Sequence, residues 1–212
     1  MAAPHDLLEL RTVDELIADG RRPLWATEAL ARAPYVVVRR ARAAHGAIAV
    51  GIRGPARRQR LAALLRPAAV SKRVAPEDLV VARAWRRTGR RASVPALAAL
   101  ERIAVVLDDI GRPWGPAGSV GFELATGVPV TRPQSDLDLV VRCRLPWAPS
   151  DAREVLATLD GLAGDVPVDV QIETPAGAVA LREYAAGRAP LLLRTVDGPA
   201  LVDDPWAAVV AT

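Results

Sequence analysis

The sequence predicts an α+β protein in two parts: a smaller basic α/β module over residues 1–90, and a larger domain over 91–212 built on a short mixed sheet with flanking helices. Three observations predict it. Segments with the period-2 alternation of strands, such as SDLDLVVR and VPVDVQIET, stand between segments that carry helix-start signals. Charge divides along the chain: residues 1–106 carry 19 Arg and one Lys against 9 acids, a net of +11, whereas 107–212 carry 8 Arg against 15 acids, a net of −7. An Arg-rich stretch, RRTGRRAS over 86–93, lies near the change of character and marks the boundary.

The elements follow in chain order. Thr12 to Glu15 makes a capping box for a short helix. YVVVRR (35–40) and GAIAVGIR (46–53) read as two strands of a hairpin-like unit, GPARRQRLAALL (54–65) as a turn leading into a helix, and APEDL (75–79) as the opening of another helix. From Ser93 a helix with Pro95 in its first turn runs to about Asp109. GRPWGPAG then delivers the chain to a Gly118-Ser119 turn and a helix from Val120 to about Ala125. A return loop rich in Gly, Pro and Thr leads to a strand that opens at Asp136. A helix capped by Ser150, a strand over 166–174, a helix within GAVALREYAAG and a short strand PLLLR complete the domain, and Asp197-Gly198 marks a tight turn.

Composition excludes several classes. With 212 residues, 51% of them hydrophobic, the chain is long enough to bury a core and too apolar for disorder. No uncharged run approaches a bilayer-spanning length, and acids interrupt the N-terminal MAAPHDLLELRTVDEL where a signal peptide needs an apolar stretch, so a soluble, cytoplasmic protein is expected. The lone Cys143 falls on the inward phase of the Asp136 strand and reads as a small core residue. His5 and His45 are too widely separated to build a zinc site with it at a recognisable spacing. Aromatic residues make up 4% and none interleaves with the basic cluster, so the stacking platforms of nucleic-acid binding are missing.

The chemistry is concentrated in residues 118–141. On a strand, Asp136 and Asp138 project to the same side roughly 6–7 Å apart, while Leu137, Leu139 and Val141 point to the core. Two carboxylates held that close repel one another unless a cation lies between them, and Mg²⁺, a hard oxygen-seeking ion, suits them. Gly118 and Ser119, at a helix start, aim backbone N–H groups at an anion such as a polyphosphate tail. The alternation in 166–174 puts Asp169, Gln171 and Glu173 on one face, so Asp169 completes a carboxylate set if the two strands are neighbours; the choice between Asp169 and Glu173 stays open, and Pro167 also suits an edge strand. Arg53, Arg57, Arg58 and Arg60 form a cluster of guanidiniums suited to phosphate or to an acidic partner, with a solvated basic surface as the plain alternative.

The Gly118-Ser119 turn, the Asp136-Leu137-Asp138 strand and the segment around Asp169 together resemble the nucleotidyltransferase fold of the polymerase-β type over roughly residues 93–185. More narrowly, PHDLL, GIRGPARRQRLAA, GSVGFELATG, SDLDLVVR and DVQIETPAGAVAL, in this order, resemble the phosphoribosyl-dephospho-CoA transferase of malonate decarboxylase, its holo-acyl-carrier-protein synthase. The resemblance implies transfer of the prosthetic group from 2′-(5″-triphosphoribosyl)-3′-dephospho-CoA to a serine of the apo acyl carrier protein, with release of pyrophosphate and with a pair of Mg²⁺ ions at the reacting phosphate. Carried onto this chain, Asp136 and Asp138 match the metal-binding pair, Gly118 and Ser119 the turn that holds the phosphate tail, and Asp169 more loosely the third carboxylate, as general base or metal ligand. The 16 residues between Ser119 and Asp136 make a longer return than many members show. Two other readings share these residues: an ATP-dependent nucleotidyltransferase acting on a small molecule or protein hydroxyl, and a catalytically silent, antitoxin-like nucleotide-binding module.

Overall fold

In the computed structural model, which describes residues 2–18, 20–43, 46–56 and 58–207, the chain forms two six-stranded sheets with a cleft between them. The first sheet uses β1 (Leu7–Leu10), β2 (Leu16–Ile17), β3 (Tyr35–Val38), β4 (Ile48–Arg53), β5 (Arg60–Leu65) and β6 (Val70–Val74), in the order β2-β5-β4-β3-β1-β6 and antiparallel throughout. One face packs on α1 (Leu24–Arg32): Leu8, Val36, Val50 and Leu65 close around Ala26 and Leu30. The other face turns toward the rest of the chain.

The expected helix after the Arg cluster is absent. Residues 60–65 form β5, registered along its full length against β4, with Ala63 and Leu65 buried. Ala and Leu favour a helix in isolation, but here a β4 partner is supplied and tertiary pairing overrides the weak intrinsic preference. The expected capping box at Thr12 holds only a single 3₁₀ turn, Val13–Glu15, in which the Thr12 side chain accepts a hydrogen bond from the Asp14 N–H.

The chain leaves this sheet through α2 (Pro76–Val81) and a 3₁₀ turn at Ala84–Arg86, then enters α3 (Pro95–Asp109). The second sheet contains β7 (Trp114–Pro116), β8 (Leu137–Arg142), β9 (Val168–Glu173), β10 (Ala178–Ala180), β11 (Leu191–Thr195) and β12 (Gly198–Val202), in the order β12-β11-β10-β9-β8-β7. Helices α4 (Gly118–Thr126), α5 (Pro149–Ala163) and α6 (Leu181–Ala185) connect them. The sheet is mixed: β8 and β9 are parallel, joined by the crossover helix α5, and the other pairs are antiparallel. β9 is therefore an interior strand, and Pro167 precedes it, its carbonyl accepting from the Leu137 N–H. Ser150 does not cap α5. Ala148 is the cap residue, Pro149 opens the helix, and the Ser150 hydroxyl donates to Asp151.

The strand phase of β8 determines the core. Leu137, Leu139, Val141 and Cys143 are fully buried against α3, whose Leu97, Leu100, Ile103 and Leu107 are also sealed from water. Burial in this apolar setting pushes the Cys143 thiol up to about 11.

Buried charges join the two sheets. Glu173, at the end of β9, is paired with Arg40 after β3, and its Oε1 lies 3.3 Å from His5 Nε2. Arg142 donates to Glu77 at 2.8 Å and to the Pro4 carbonyl at 3.0 Å, and lies 3.7 Å from both Asp6 and Glu173. Burial alone raises the Glu173 carboxyl, but His5 and Arg40 more than offset it and hold the group below its ordinary value.

Candidate active site

The site begins with register. Asp138 on β8 pairs directly with Asp169 on β9, so two carboxylates face the same side of adjacent strands about 4.8 Å apart. Glu173 lies four residues further along β9, about 13 Å away, opposite Arg142. The shared face of Asp169 and Glu173 is thus divided between the cleft and the inter-sheet ion pairs. Asp136 immediately precedes β8 and is exposed, as is Asp169, whereas Asp138 is half-buried.

Helix α4 starts against Asp138. The Ala117 N–H donates to the Asp138 carbonyl at 2.8 Å, and Gly118 adopts φ +55°, a left-handed conformation suited to glycine. A Cβ at Gly118 would overlap the Asp138 carboxylate, reaching to 2.7 Å from its Cγ. Glycine at this position therefore lets the helix start touch the carboxylate.

The long return from α4 to β8 is anchored by Glu123, which is buried on α4 and reads in the sequence as an unremarked helical acid. Its carboxylate receives both the Val130 and Thr131 N–H groups at 2.9 and 2.8 Å, and Arg90 donates to both oxygens at 2.6–2.7 Å. Arg90 also donates to the Thr131 carbonyl at 2.9 Å, so the loop that presents Asp136 is tied to α4 and to the segment before α3. Burial raises the Glu123 carboxyl, but the hydrogen bonds from Thr131, Arg90 and Val130 outweigh it, and the group titrates below its ordinary value.

A cleft of about 870 Å³ lies over these residues, and both sheets line it. Asp138 and Asp169 come from the second sheet and Gly118 from the start of α4, while Arg53 and Arg60 come from the first sheet and His5 from the segment before β1. Arg53 and Arg60 are partners across β4 and β5, so the Arg cluster sits on a strand-to-strand hairpin rather than a strand-to-helix junction. Arg58 is exposed in the hairpin turn; Arg58, Ser119 and Asp136 are not part of the cleft lining. Arg57 lies outside the described residues. Burial raises the Asp138 carboxyl first, with Asp136 and Asp169 adding to the effect, while Arg53 and His5 oppose it.

His5 is the cleft residue that the sequence pattern assigned no role beyond its place in PHDLL. Its φ of +74° is unusual for a residue with a Cβ, and its backbone N–H donates to the Val38 carbonyl at 3.1 Å. With Glu173 beside Nε2, the ring is held at the cleft.

The donor set fits Mg²⁺. Asp136 and Asp169 both act to raise the Asp138 carboxyl, like charges so placed favour a cation beside them, and all the donor atoms are oxygen. Among the described residues no three His, Cys, Asp or Glu side chains form a ready-made cage. With one or two of these carboxylates as ligands, Mg²⁺ would complete its shell with water and substrate phosphate.

A family model described as phosphoribosyl-dephospho-CoA transferase MdcG C-terminal domain matches residues 81–205, and the corresponding N-terminal domain model matches residues 3–76. The chain belongs to the phosphoribosyl-dephospho-CoA transferase family. Its relatives named phosphoribosyl-dephospho-CoA transferase include one from Pseudomonas putida (strain GB-1), 47% identical over 97% of this chain and 95% of the relative. One from Azotobacter vinelandii is 46% identical over 98% and 96%, and one from Pseudomonas aeruginosa is 40% identical over 96% and 93%. No solved structure matches. The chain is accordingly a transferase, and among the described residues no helix is long and apolar enough to cross a membrane.

Proposed function

We propose that the chain transfers the phosphoribosyl-dephospho-CoA group from 2′-(5″-triphosphoribosyl)-3′-dephospho-CoA to a serine hydroxyl of the apo acyl carrier protein of malonate decarboxylase, releasing pyrophosphate. The observation that carries the reading is the meeting of Asp138, its registered partner Asp169 and the left-handed Gly118 at one point of an inter-sheet cleft whose opposite wall bears Arg53 and Arg60. Carboxylates on one side and guanidiniums on the other suit an anionic donor that reacts at phosphorus.

In this scheme the serine oxygen forms a bond to the α-phosphorus while the bond from that phosphorus to the pyrophosphate oxygen breaks. The start of α4 at Gly118 receives the phosphate tail, and Arg53 and Arg60 offset its remaining charge. The hydroxyl proton passes to a carboxylate of the cleft, for which the exposed Asp169 is suitably placed. Asp136, Asp138 and Asp169 are the residues that would hold Mg²⁺, which when bound supplies Lewis-acid stabilisation of charge on the phosphate oxygens. The basic N-terminal half, net +11 over residues 1–106, favours approach of an acidic carrier protein.

The test is the intact mass of the apo carrier protein after incubation with enzyme, donor and Mg²⁺. The reading expects a mass increase equal to the phosphoribosyl-dephospho-CoA group on serine, together with pyrophosphate. Transfer of AMP from ATP instead, with the triphosphoribosyl donor inert, would move the assignment to an ATP-dependent nucleotidyltransferase.

A further inference from the structure

Beside Asp169 the cleft floor carries two polar side chains to which the transfer scheme gives no part. Asp169 and Gln171 lie two residues apart on β9, on one face and about 7 Å from one another, and both line the cleft. Two strands away, Arg194 on β11 lines it as well. The intervening β10 sets Ala178 opposite Arg194 and Ala180 opposite Gln171. These short side chains leave the Arg194 guanidinium room to cross β10, and its Nη1 donates to Gln171 Oε1 at 2.6 Å.

That bond decides which way the amide faces. A guanidinium has donors and no acceptor, so it takes the Gln171 carbonyl oxygen and leaves the NH₂ group directed the other way. Gln171 Nε2 lies 3.4 Å from Asp169 Oδ1 and 3.4 Å from Oδ2, donating to both. Among the described residues no other group donates a hydrogen bond to this exposed carboxylate. Hydrogen bonds of this length at a reacting centre are common before substrate binds and tighten in the substrate complex. The amide is also neutral. A guanidinium placed directly on Asp169 would favour its ionised form and weaken it as a proton acceptor, whereas an amide orients it with no added charge at its side.

We propose that Gln171, itself held by Arg194, is a positioning residue for the transfer: it fixes the plane of the Asp169 carboxylate beside Asp138, so that one oxygen meets the serine hydroxyl in a constant direction. The inference rests on the transferase reading above, with Asp169 as the proton acceptor, and adds what holds that side chain in place. Arg194 acts one step further out, by fixing the amide that fixes the carboxylate. Such a pair contributes to the rate through orientation and leaves donor binding unchanged.

The test is a double-mutant cycle read in kcat by mass spectrometry of the carrier protein, with the Kd of the triphosphoribosyl donor measured separately by calorimetry without carrier protein. Gln171→Met, which keeps the length of the side chain but cannot donate, is expected to lower kcat about tenfold with donor Kd within about twofold of wild type. In an Asp169→Asn background the same substitution is expected to change kcat by less than about twofold. Arg194→Leu, at an exposed strand position, is expected to lower kcat about threefold and to lose its effect in the same background, which supplies a second variant should Gln171→Met fold poorly. Wild-type kcat in Gln171→Met and Arg194→Leu while Asp169→Asn is impaired overturns the proposal and leaves the transferase reading standing, as does an equal loss in both backgrounds. An unimpaired Asp169→Asn instead removes Asp169 from the chemistry and the proposal with it.

Discussion

Replacing Gly118 by Ala tests whether contact between the α4 start and Asp138 matters to catalysis. Two effects are expected, and a second glycine separates them. A residue with a Cβ in the left-handed region costs about 1–2 kcal/mol. At about 2–4 °C of Tm per kcal/mol for a chain of this size, that is a fall of about 2–8 °C. Gly127, which ends the same helix at φ +73°, shares this backbone cost, but nothing lies within 4 Å of a Cβ there. At Gly118 the added carbon also overlaps the Asp138 carboxylate, so the carboxylate or the helix start has to shift. A misplacement of about 1 Å at a reacting centre costs about 10²-fold in rate. Gly118→Ala is therefore expected to lower kcat about a hundredfold or more, measured by mass spectrometry of the carrier protein, whereas Gly127→Ala lowers Tm by a similar amount and leaves kcat near wild type. Equal activities of the two variants would refute the reasoning.

Other perturbations separate the parts of the cleft. Asp169→Asn should lower kcat by orders of magnitude with little change in Tm, while Glu173→Gln should chiefly lower Tm, because it breaks the ion pairs with Arg40 and His5; the reverse pattern in steady-state rates and thermal melts would exchange the two roles. Charge-neutral replacement of Arg53, Arg58 and Arg60 should raise KM for the donor or the carrier protein more than it lowers kcat and weaken its salt dependence, and unchanged kinetics at low salt would return these residues to a solvated surface. The Glu173 carboxyl is depressed in the folded chain relative to an ordinary value of 4.5, so its stabilisation is present at neutral pH and is lost as pH falls through the folded value. Chemical denaturation should accordingly show the wild-type advantage over Glu173→Gln shrinking below about pH 4.5, and a pH-independent difference would contradict the linkage.

The carboxylate strand, its core phase and the helix over 95–109 were legible because each carries a strong local signal: D-x-D among apolar residues, and Pro95 at a helix start. The six-stranded first sheet was not. β1, β2 and β6 are short, and their pairings join residues far apart in sequence, such as Leu8 with Arg73. Ala-Leu composition pointed the 60–65 segment toward a helix, whereas β4 made it a strand. Alternation placed Asp169 and Glu173 on one face correctly, but local pattern carries no information on where the first sheet docks. Docking leaves Asp169 in the cleft and buries Glu173 between Arg40, His5 and Arg142. His5 and Glu123 escaped notice for the same reason, since each acts through partners more than 30 residues away or through a loop that returns to it, apart from the nearby Val130 and Thr131 N–H groups.

The central claim is that Asp136 and Asp138 serve the chemistry rather than the fold, and the most direct test is the single-turnover rate of carrier-protein modification by Asp136→Asn and Asp138→Asn in saturating Mg²⁺. The account predicts that each variant keeps the wild-type Tm to within a few degrees while its rate falls by about two orders of magnitude or more, because each substitution removes a ligand charge from the reacting phosphate. Near-native rates in both variants would contradict it.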